Sequence, residues 1–165
     1  MSSTESETEL DKLNDLLKKF RFAMVTTRAG DGALHAHPLT VQETESDGDL
    51  WFIVGTHASA VEHVRRDPKV GLSFSSDSTW LSLAGEAEVV DDLAKLTELW
   101  STSVEAWFPD GPEAPGVTLL RVNALSGEYW GTAGGRIATA IALVTSKVTG
   151  ERPKGSENEK FDLPG

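Results

Sequence analysis

The order of apolar and polar residues along the chain predicts an α+β protein built mainly from short antiparallel strands. Residues 21–27 are rich in apolar and β-branched residues that divide between the two faces of a strand. Residues 30–32 then supply a turn, and residues 33–42 form the predicted return strand. Pro38 lies within this return strand and has no backbone donor, so we expect a bulge or an edge position there.

Further strands and helices follow at short spacing. Strands are predicted at residues 50–55, 70–74, 79–90, 117–122 and 127–130. Helices are predicted from Ser6 to Phe20, after a cap at Thr56, from Asp91 to Trp107, and from Arg136 to Val148. Gly85, in the middle of the longest strand, suggests a bulge or a sharp barrel bend. About seven strands joined by hairpin turns indicate a closed or nearly closed antiparallel barrel with flanking helices.

The length predicts a single domain. A chain of 165 residues lies within the ~100–200 residues that one domain usually contains. We expect residues 1–5 to be disordered, residues 6–149 to form the barrel domain, and residues 150–165 to form a polar C-terminal tail.

Composition and charge exclude several functions. The 15 Lys and Arg residues are outnumbered by 26 Asp and Glu residues, which gives a net charge of −11. Nucleic acid and anionic membranes both require clustered basic residues, so we expect neither as a partner. The chain has no cysteine, which excludes disulfides, a thiol nucleophile and thiolate-bound metal. The N-terminus lacks the features of a signal peptide, and no apolar run approaches a membrane span, so we expect a cytoplasmic protein.

The four histidines are the first candidates for chemistry. His35 and His37 lie two residues apart on a predicted strand, so their side chains share a face. This pair could supply half of a metal site, but the sequence offers no third ligand at a recognisable spacing, and a polar strand face is the simpler interpretation. His57 and His63 lie six residues apart on a short helix and share no face, so we expect both at the surface.

The five tryptophans are numerous for a chain with one tyrosine. Trp100 and Trp107 fit one face of a helix, where packing in the core or in a dimer is the simplest interpretation. Trp107 also precedes a loop rich in Gly and Pro, so a lid over a planar ligand is the alternative. Trp130 ends a predicted strand, where its indole can stack on an aromatic ring. No side chain is singled out as a nucleophile, general acid or general base.

Seven segments in a fixed order carry a resemblance to a known superfamily. They are residues 23–27, 32–39, 49–52, 66–70, 82–87, 107–111 and 128–130. In this order and spacing the chain resembles the FMN-binding split barrels of the pyridoxamine 5′-phosphate oxidase-like superfamily, in the general stress protein branch. The resemblance extends from about Leu10 to Val148. It implies a six-stranded antiparallel split β-barrel, a homodimer, and two flavin sites at the subunit interface.

The resemblance also implies which residues bind the flavin. His37, Thr56 and Ser59 would contact the phosphate or the ribityl group. The backbone near Leu39 and Val54, with Pro38 in the same segment, would face the ring. Trp107 or Trp130 from the other subunit would cover it.

Two positions depart from the pattern of the superfamily. The Arg that usually holds the phosphate is replaced by His37, and the Lys that opens the short helix is replaced by Ala60. Loss of two charge-assisted contacts, each worth roughly 1.5–3 kcal/mol, would weaken FMN binding by several orders of magnitude. Backbone amides at the start of the short helix favour an anion and would offset part of this loss.

Three hypotheses follow. The leading one is an FMN-binding protein, with a flavin-dependent oxidoreductase of unknown substrate as its enzymatic form. The second is a split-barrel homodimer that has lost FMN and serves as a ligand-binding or interaction protein. The third uses another planar cofactor, either a deazaflavin or a haem with His37 as an axial ligand. The absorption spectrum of the isolated protein distinguishes the three.

Overall fold

The computed structural model describes residue 11 and residues 13–44, 49–132 and 156–162. Residues 13–17 are helical and bury leucines against the barrel. The strands within these ranges are β1 (Phe22–Arg28), β2 (Leu34–Thr40), β3 (Glu43–Thr44), β4 (Asp49–Gly55), β5 (Lys69–Ser75), β6 (Thr79–Val90), β7 (Val117–Thr132) and β8 (Ser156–Asp162). The remaining helices are α1 (Ser59–Arg66), α2 (Leu93–Leu99) and α3 (Thr102–Trp107).

The strands form one antiparallel sheet that closes on itself. Their order is β2-β1-β5-β6-β7-β4-β3, and β8 pairs with β7. β2 and β3 stand at opposite ends of this order, yet only Val41 and Gln42 separate them in the chain. The Val41 amide donates to the Arg21 carbonyl beside β1, and the Gln42 amide donates to the Trp51 carbonyl in β4. The six strands β1, β2, β4, β5, β6 and β7 therefore form the α+β split barrel that the sequence predicts.

Burial follows the predicted alternation. In β1, Ala23, Val25 and Thr27 are buried, whereas Phe22 and Met24 are exposed. Residues Asp49 to Val54 of β4 are all buried, because this strand has the barrel interior on one face and a second apolar cluster on the other. The second cluster contains Trp51, Ile53, Leu96, Val104, Val117 and Leu119. It fixes α2 and α3 on the outside of β4.

The bulge predicted at Gly85 is confirmed, and it explains an error elsewhere. The register between β6 and β7 shifts between Ala84 and Gly85. β7 keeps its pairing with β6 on both sides of the shift, so the two strands predicted at residues 117–122 and 127–130 are one strand of 16 residues.

Two helix predictions are wrong in detail. The helix predicted from Asp91 to Trp107 is divided, because the Ser101 side chain accepts a hydrogen bond from the Val104 amide and begins a new helix, α3. Thr56 does not cap α1. Ala58 occupies the N-cap, and Thr56 Oγ1 donates instead to the Pro115 carbonyl at 3.1 Å.

The C-terminal part adds a strand that the pattern does not predict. β8 lies within the segment expected to be a polar tail and pairs with residues 126–132 of β7. Its sequence is mostly polar and gives no apolar signal of pairing. The predicted helix over 136–148, the predicted disorder of residues 1–5 and the predicted helix start at Ser6 lie outside the described residues. Within the described ranges, no helix has the length and apolar character needed to cross a bilayer.

Candidate functional site

A pocket of about 660 Å³ opens between β2, β4 and α3. This volume lies within the ~300–1,000 Å³ that is usual for small-molecule sites. Its lining is mostly apolar, with a few polar groups. The residues that line it are Arg21, Phe22, His37, Pro38, Leu39, Thr40, Gln42, Ile53, Val54, Gly55, Ala58, Ala60, Ser101, Ser103, Val104, Trp107 and Phe108.

The pocket brings together five of the eight residues that the resemblance implicates. They are His37, Pro38, Leu39, Val54 and Trp107. Thr56 lines a different cavity, and Ser59 is exposed at the start of α1. Trp130 lies on β7 beside Trp80 of β6 and is not among the lining residues. The assignment of all eight residues to a cofactor stays a prediction.

Strand pairing places two histidines on the same face as a buried threonine. His37 lies opposite Val25 and His35 lies opposite Thr27 in the β1–β2 register, and directly paired residues project from the same face. Thr27 is buried, and its Oγ1 lies 2.9 Å from His37 Nε2. The same Oγ1 lies 2.8 Å from Nδ1 of His63 on α1.

The prediction that His63 lies at the surface is therefore wrong. His63 is buried at 9% exposure, because α1 turns this residue together with Val61 and Val64 toward the barrel. Its ring centroid lies 5.3 Å from that of His35 and 5.9 Å from that of His37. We call His35, His37, His63 and Thr27 the histidine cluster.

Burial lowers the pKa of His37 below its ordinary value of 6.5, and the nearby charges of His63 and His35 lower it further. His37 is therefore mostly neutral near pH 7 in the free protein. Within the described part of the chain, no three His, Cys, Asp or Glu side chains are arranged to hold a metal ion. His37 Nε2 and His63 Nδ1 are instead both engaged by the Thr27 hydroxyl.

Arg21 is a pocket residue that the sequence interpretation missed. It directly precedes β1, lines the pocket, and has its guanidinium carbon 5.2 Å from the centre of the Phe22 ring. Its carbonyl pairs with the Val41 amide, so it lies about four residues along β2 from His37. At ~3.3 Å per residue this corresponds to about 13 Å. The one sequence signal that could have identified it is an arginine directly before a strand that pairs with the Pro38 strand.

Two further features shape the pocket. Trp107, at the C-terminal end of α3, is 82% exposed although it lines the pocket. Its indole is therefore accessible to a planar group, and offset stacking on such a group is worth ~0.5–1.5 kcal/mol beyond area burial. Ala60 on α1 is buried and also lines the pocket, at the position where the resemblance implies a lysine.

Comparison with known proteins places the chain in a family. A sequence model described as pyridoxamine 5′-phosphate oxidase like matches residues 8–154. Protein bli-3 of Neurospora crassa is 31% identical over 144 residues, which cover 78% of this chain and 69% of that protein.

Solved structures agree. A Clostridium acetobutylicum protein related to general stress protein 26 of the pyridoxinephosphate oxidase family has a TM-score of 0.70 at 22% identity, covering 95% of this chain and 96% of that one. A general stress FMN/FAD binding protein from Xanthomonas citri has a TM-score of 0.62 at 26% identity, covering 76% of this chain and 87% of that one. Because the family model spans most of the sequence, the chain belongs to the pyridoxamine 5′-phosphate oxidase-like family.

Proposed function

We propose that this protein binds FMN in the pocket between β2, β4 and α3. The observation that carries the proposal is a mostly apolar pocket whose lining includes two side chains able to hold an anion, His37 and Arg21. Leu39, Val54 and Ile53 supply apolar surface for a flat ring. The backbone positions of His37 and Arg21 lie about four residues, or roughly 13 Å, apart along the β1–β2 pair. The related Xanthomonas citri protein, which binds FMN/FAD, supports the same ligand class.

We place the phosphate at the His37 end. His37, Ala58 and Ala60 line this end, where α1 begins close to β2. Arg21 would then lie at the ring end, where a fixed positive charge favours electron-rich carbonyl oxygens. Trp107 would stack on the exposed side of the ring. The chain's own residues thus bind and orient the ligand and limit the access of water to one side.

Bound FMN would supply electron and hydride transfer, so a flavin-dependent oxidoreductase is the enzymatic form of this proposal. The chain is also proposed to act as a homodimer, because its sheet presents large apolar side chains to solvent. Phe22 is 56% exposed, Trp80 47% and Trp130 36%. Location in the cytoplasm stays a prediction.

The direct test is the absorption spectrum of the purified protein, followed by titration with FMN and measurement of flavin fluorescence quenching. We expect saturable binding by the wild type. The double variant His37→Arg/Ala60→Lys should bind FMN about 100-fold tighter or more, because two charge-assisted contacts are each worth ~1.5–3 kcal/mol. His37→Arg alone is the second variant, since Ala60 is buried and a lysine there could disturb folding. Absence of quenching by the wild type at high micromolar FMN would refute the proposal, and the two variants then show whether the pocket itself is intact.

One observation favours a second candidate, a split barrel that has lost FMN. Of the described residues that line the pocket, Arg21 is the one with a permanent positive charge, and Ala60 offers no donor for a phosphate. If the wild type fails to bind FMN and the two variants succeed, the protein is better explained as a ligand-binding or interaction protein on the same fold.

A further inference from the structure

The histidine cluster contains a hydrogen-bonded chain that reaches from the pocket into the barrel wall. Thr27 Oγ1 lies 2.9 Å from His37 Nε2 and 2.8 Å from His63 Nδ1. His37 lines the pocket, whereas Thr27 and His63 are buried. Because Nε2 of His37 is engaged by the threonine, Nδ1 is the ring nitrogen left for a ligand.

The Thr27 hydroxyl, in the middle of this hydrogen-bonded chain, limits how many protons the two histidine rings can take up. Thr27 Oγ1 has one hydrogen to donate and lone pairs to accept with. When His37 is protonated, its Nε2–H donates to Oγ1, and the hydroxyl donates to an unprotonated His63 Nδ1. If both rings were protonated, both would donate to Oγ1, the buried hydroxyl hydrogen would lose its acceptor, and two like charges would face each other. The hydrogen-bond pattern therefore accommodates one proton on the two rings and disfavours a second.

An anion in the pocket changes the preferred state of this chain. A phosphate monoester has a second pKa near ~6, so it is mostly dianionic above pH ~7. A dianion beside His37 stabilises the imidazolium, which in the free protein is disfavoured by burial and by His63 and His35. Protonated His37 then offers Nδ1–H to the phosphate.

We propose that FMN binding to this protein is coupled to the uptake of one proton by the His37–Thr27–His63 chain. This inference rests on the proposed function, because it assumes that the phosphate lies beside His37. The cluster would then carry a positive charge when FMN is bound.

The elements packed around the cluster carry other titratable or charged groups. On these elements they are His35 on β2, Arg28 on β1 with its neighbour Asp67 at 4.0 Å, Arg66 and Glu62 on α1, Glu105 on α3, and Arg21, which lines the pocket. Among these described groups, His35 is the one whose charge, with that of His63, acts on the pKa of His37.

The test measures the affinity of the wild-type protein for FMN and for riboflavin between about pH 6.5 and 8. At the upper end of this range the charge of the FMN phosphate changes little. We expect FMN affinity to fall as pH rises, by at most about tenfold per pH unit for one proton, and riboflavin affinity to stay constant. Calorimetry in two buffers of different ionisation enthalpy should show about one proton more taken up by the wild type than by His37→Arg, whose charge is permanent.

Two threonine variants locate the proton. Thr27→Ser keeps the hydroxyl and should keep the uptake, whereas Thr27→Val should reduce it. If Thr27→Val does not fold, the comparison of the wild type with His37→Arg still decides. Equal proton uptake by those two proteins, or a flat pH profile for FMN in the wild type, would overturn the inference while leaving FMN binding intact. Absence of FMN binding at every pH would instead overturn the proposed function itself.

Discussion

At the scale of single residues, the pocket holds two different kinds of positive charge. Arg21 is charged at every accessible pH, whereas His37 is mostly neutral in the free protein because burial and its histidine neighbours lower its pKa. The sequence predicts His37 as a site residue through the resemblance, whereas the interpretation of the sequence missed Arg21. Arg21 lies at the pocket only because β1 pairs with β2, and that pairing brings residues about 20 positions apart level with each other.

The placement of the phosphate predicts different effects for these two residues. His37→Gln should weaken FMN binding by about 10- to 100-fold and leave riboflavin binding unchanged, since a charge-assisted contact is worth ~1.5–3 kcal/mol. Arg21→Gln should weaken both ligands by a similar factor, because its proposed contact is with the ring. Parallel quenching titrations of both ligands provide the measurement. If Arg21→Gln affects FMN alone, the phosphate lies at the other end of the pocket.

His37 also predicts how stability depends on pH. Its pKa is lower in the folded protein than the ordinary 6.5 expected after unfolding, so the unfolded chain binds more protons between the two values. The stability that neutral His37 permits is therefore present above about pH 6.5 and is lost as pH falls through the folded value. Urea unfolding of the wild type and His37→Gln at a series of pH values checks this. The variant should lose less free energy of unfolding on acidification than the wild type. The same dependence of that free energy on pH in both proteins would contradict the assignment to His37.

At the scale of elements, the predictions succeed where burial is one-sided and fail where pairing is decided far away in sequence. β1 was predictable because its inward and outward residues alternate. β7 was not predictable as one strand, because Asn123 to Ser126 lack a clear pattern and are held by β6 across the bulge. α3 was predictable as a separate helix only from Ser101, because a serine side chain at this position can cap a new helix.

Because of the bulge, we expect alanine substitutions at two glycines in neighbouring strands to differ in their effect on stability. A Cβ at Gly85 would lie within 3.0 Å of backbone, since the Asn123 carbonyl oxygen is at 2.3 Å. A Cβ at Gly71 would meet nothing closer than the Leu83 carbonyl at 4.0 Å. We expect Gly85→Ala to destabilise the protein by about 1–3 kcal/mol, which corresponds to a melting temperature about 2–12 °C lower.

Gly71→Ala is the matched control and should change stability by less than about 0.5 kcal/mol. Thermal unfolding followed by circular dichroism compares the two variants. Equal melting temperatures would mean that the β6–β7 backbone yields to the added methyl group, and that the bulge does not depend on glycine.

At the scale of the whole molecule, the family and the fold were predictable because seven weak segments occur in a fixed order. The closure of the barrel was not, since periodicity gives strands and not their partners. The outer face of the closed sheet carries a row of two large side chains, because Trp80 pairs directly with Trp130. Both are more than a third exposed, and this exposure is the physical basis for the proposed homodimer.

The row predicts where the homodimer is held. The double variant Trp80→Glu/Trp130→Glu should shift the protein from dimer to monomer, because four charges at a two-fold interface would have to be desolvated. Leu34→Glu is the control, since Leu34 is 73% exposed on the β1–β2 hairpin away from this row. Sedimentation velocity at tens of micromolar distinguishes the outcomes. A double variant that stays dimeric, or a monomeric wild type, would exclude this face as the interface.

The pairing of β4 with β7 has a consequence for folding. Gly55 at the end of β4 lies opposite Val117 at the start of β7, so this edge of the pocket depends on a contact across about 60 residues. Local hairpins such as β1–β2 and β5–β6 close short loops and need not wait for it. Contacts of such long sequence separation form slowly, since loop entropy is lost before they are made. We therefore expect the wall that Ile53 and Val54 contribute to be completed late in folding.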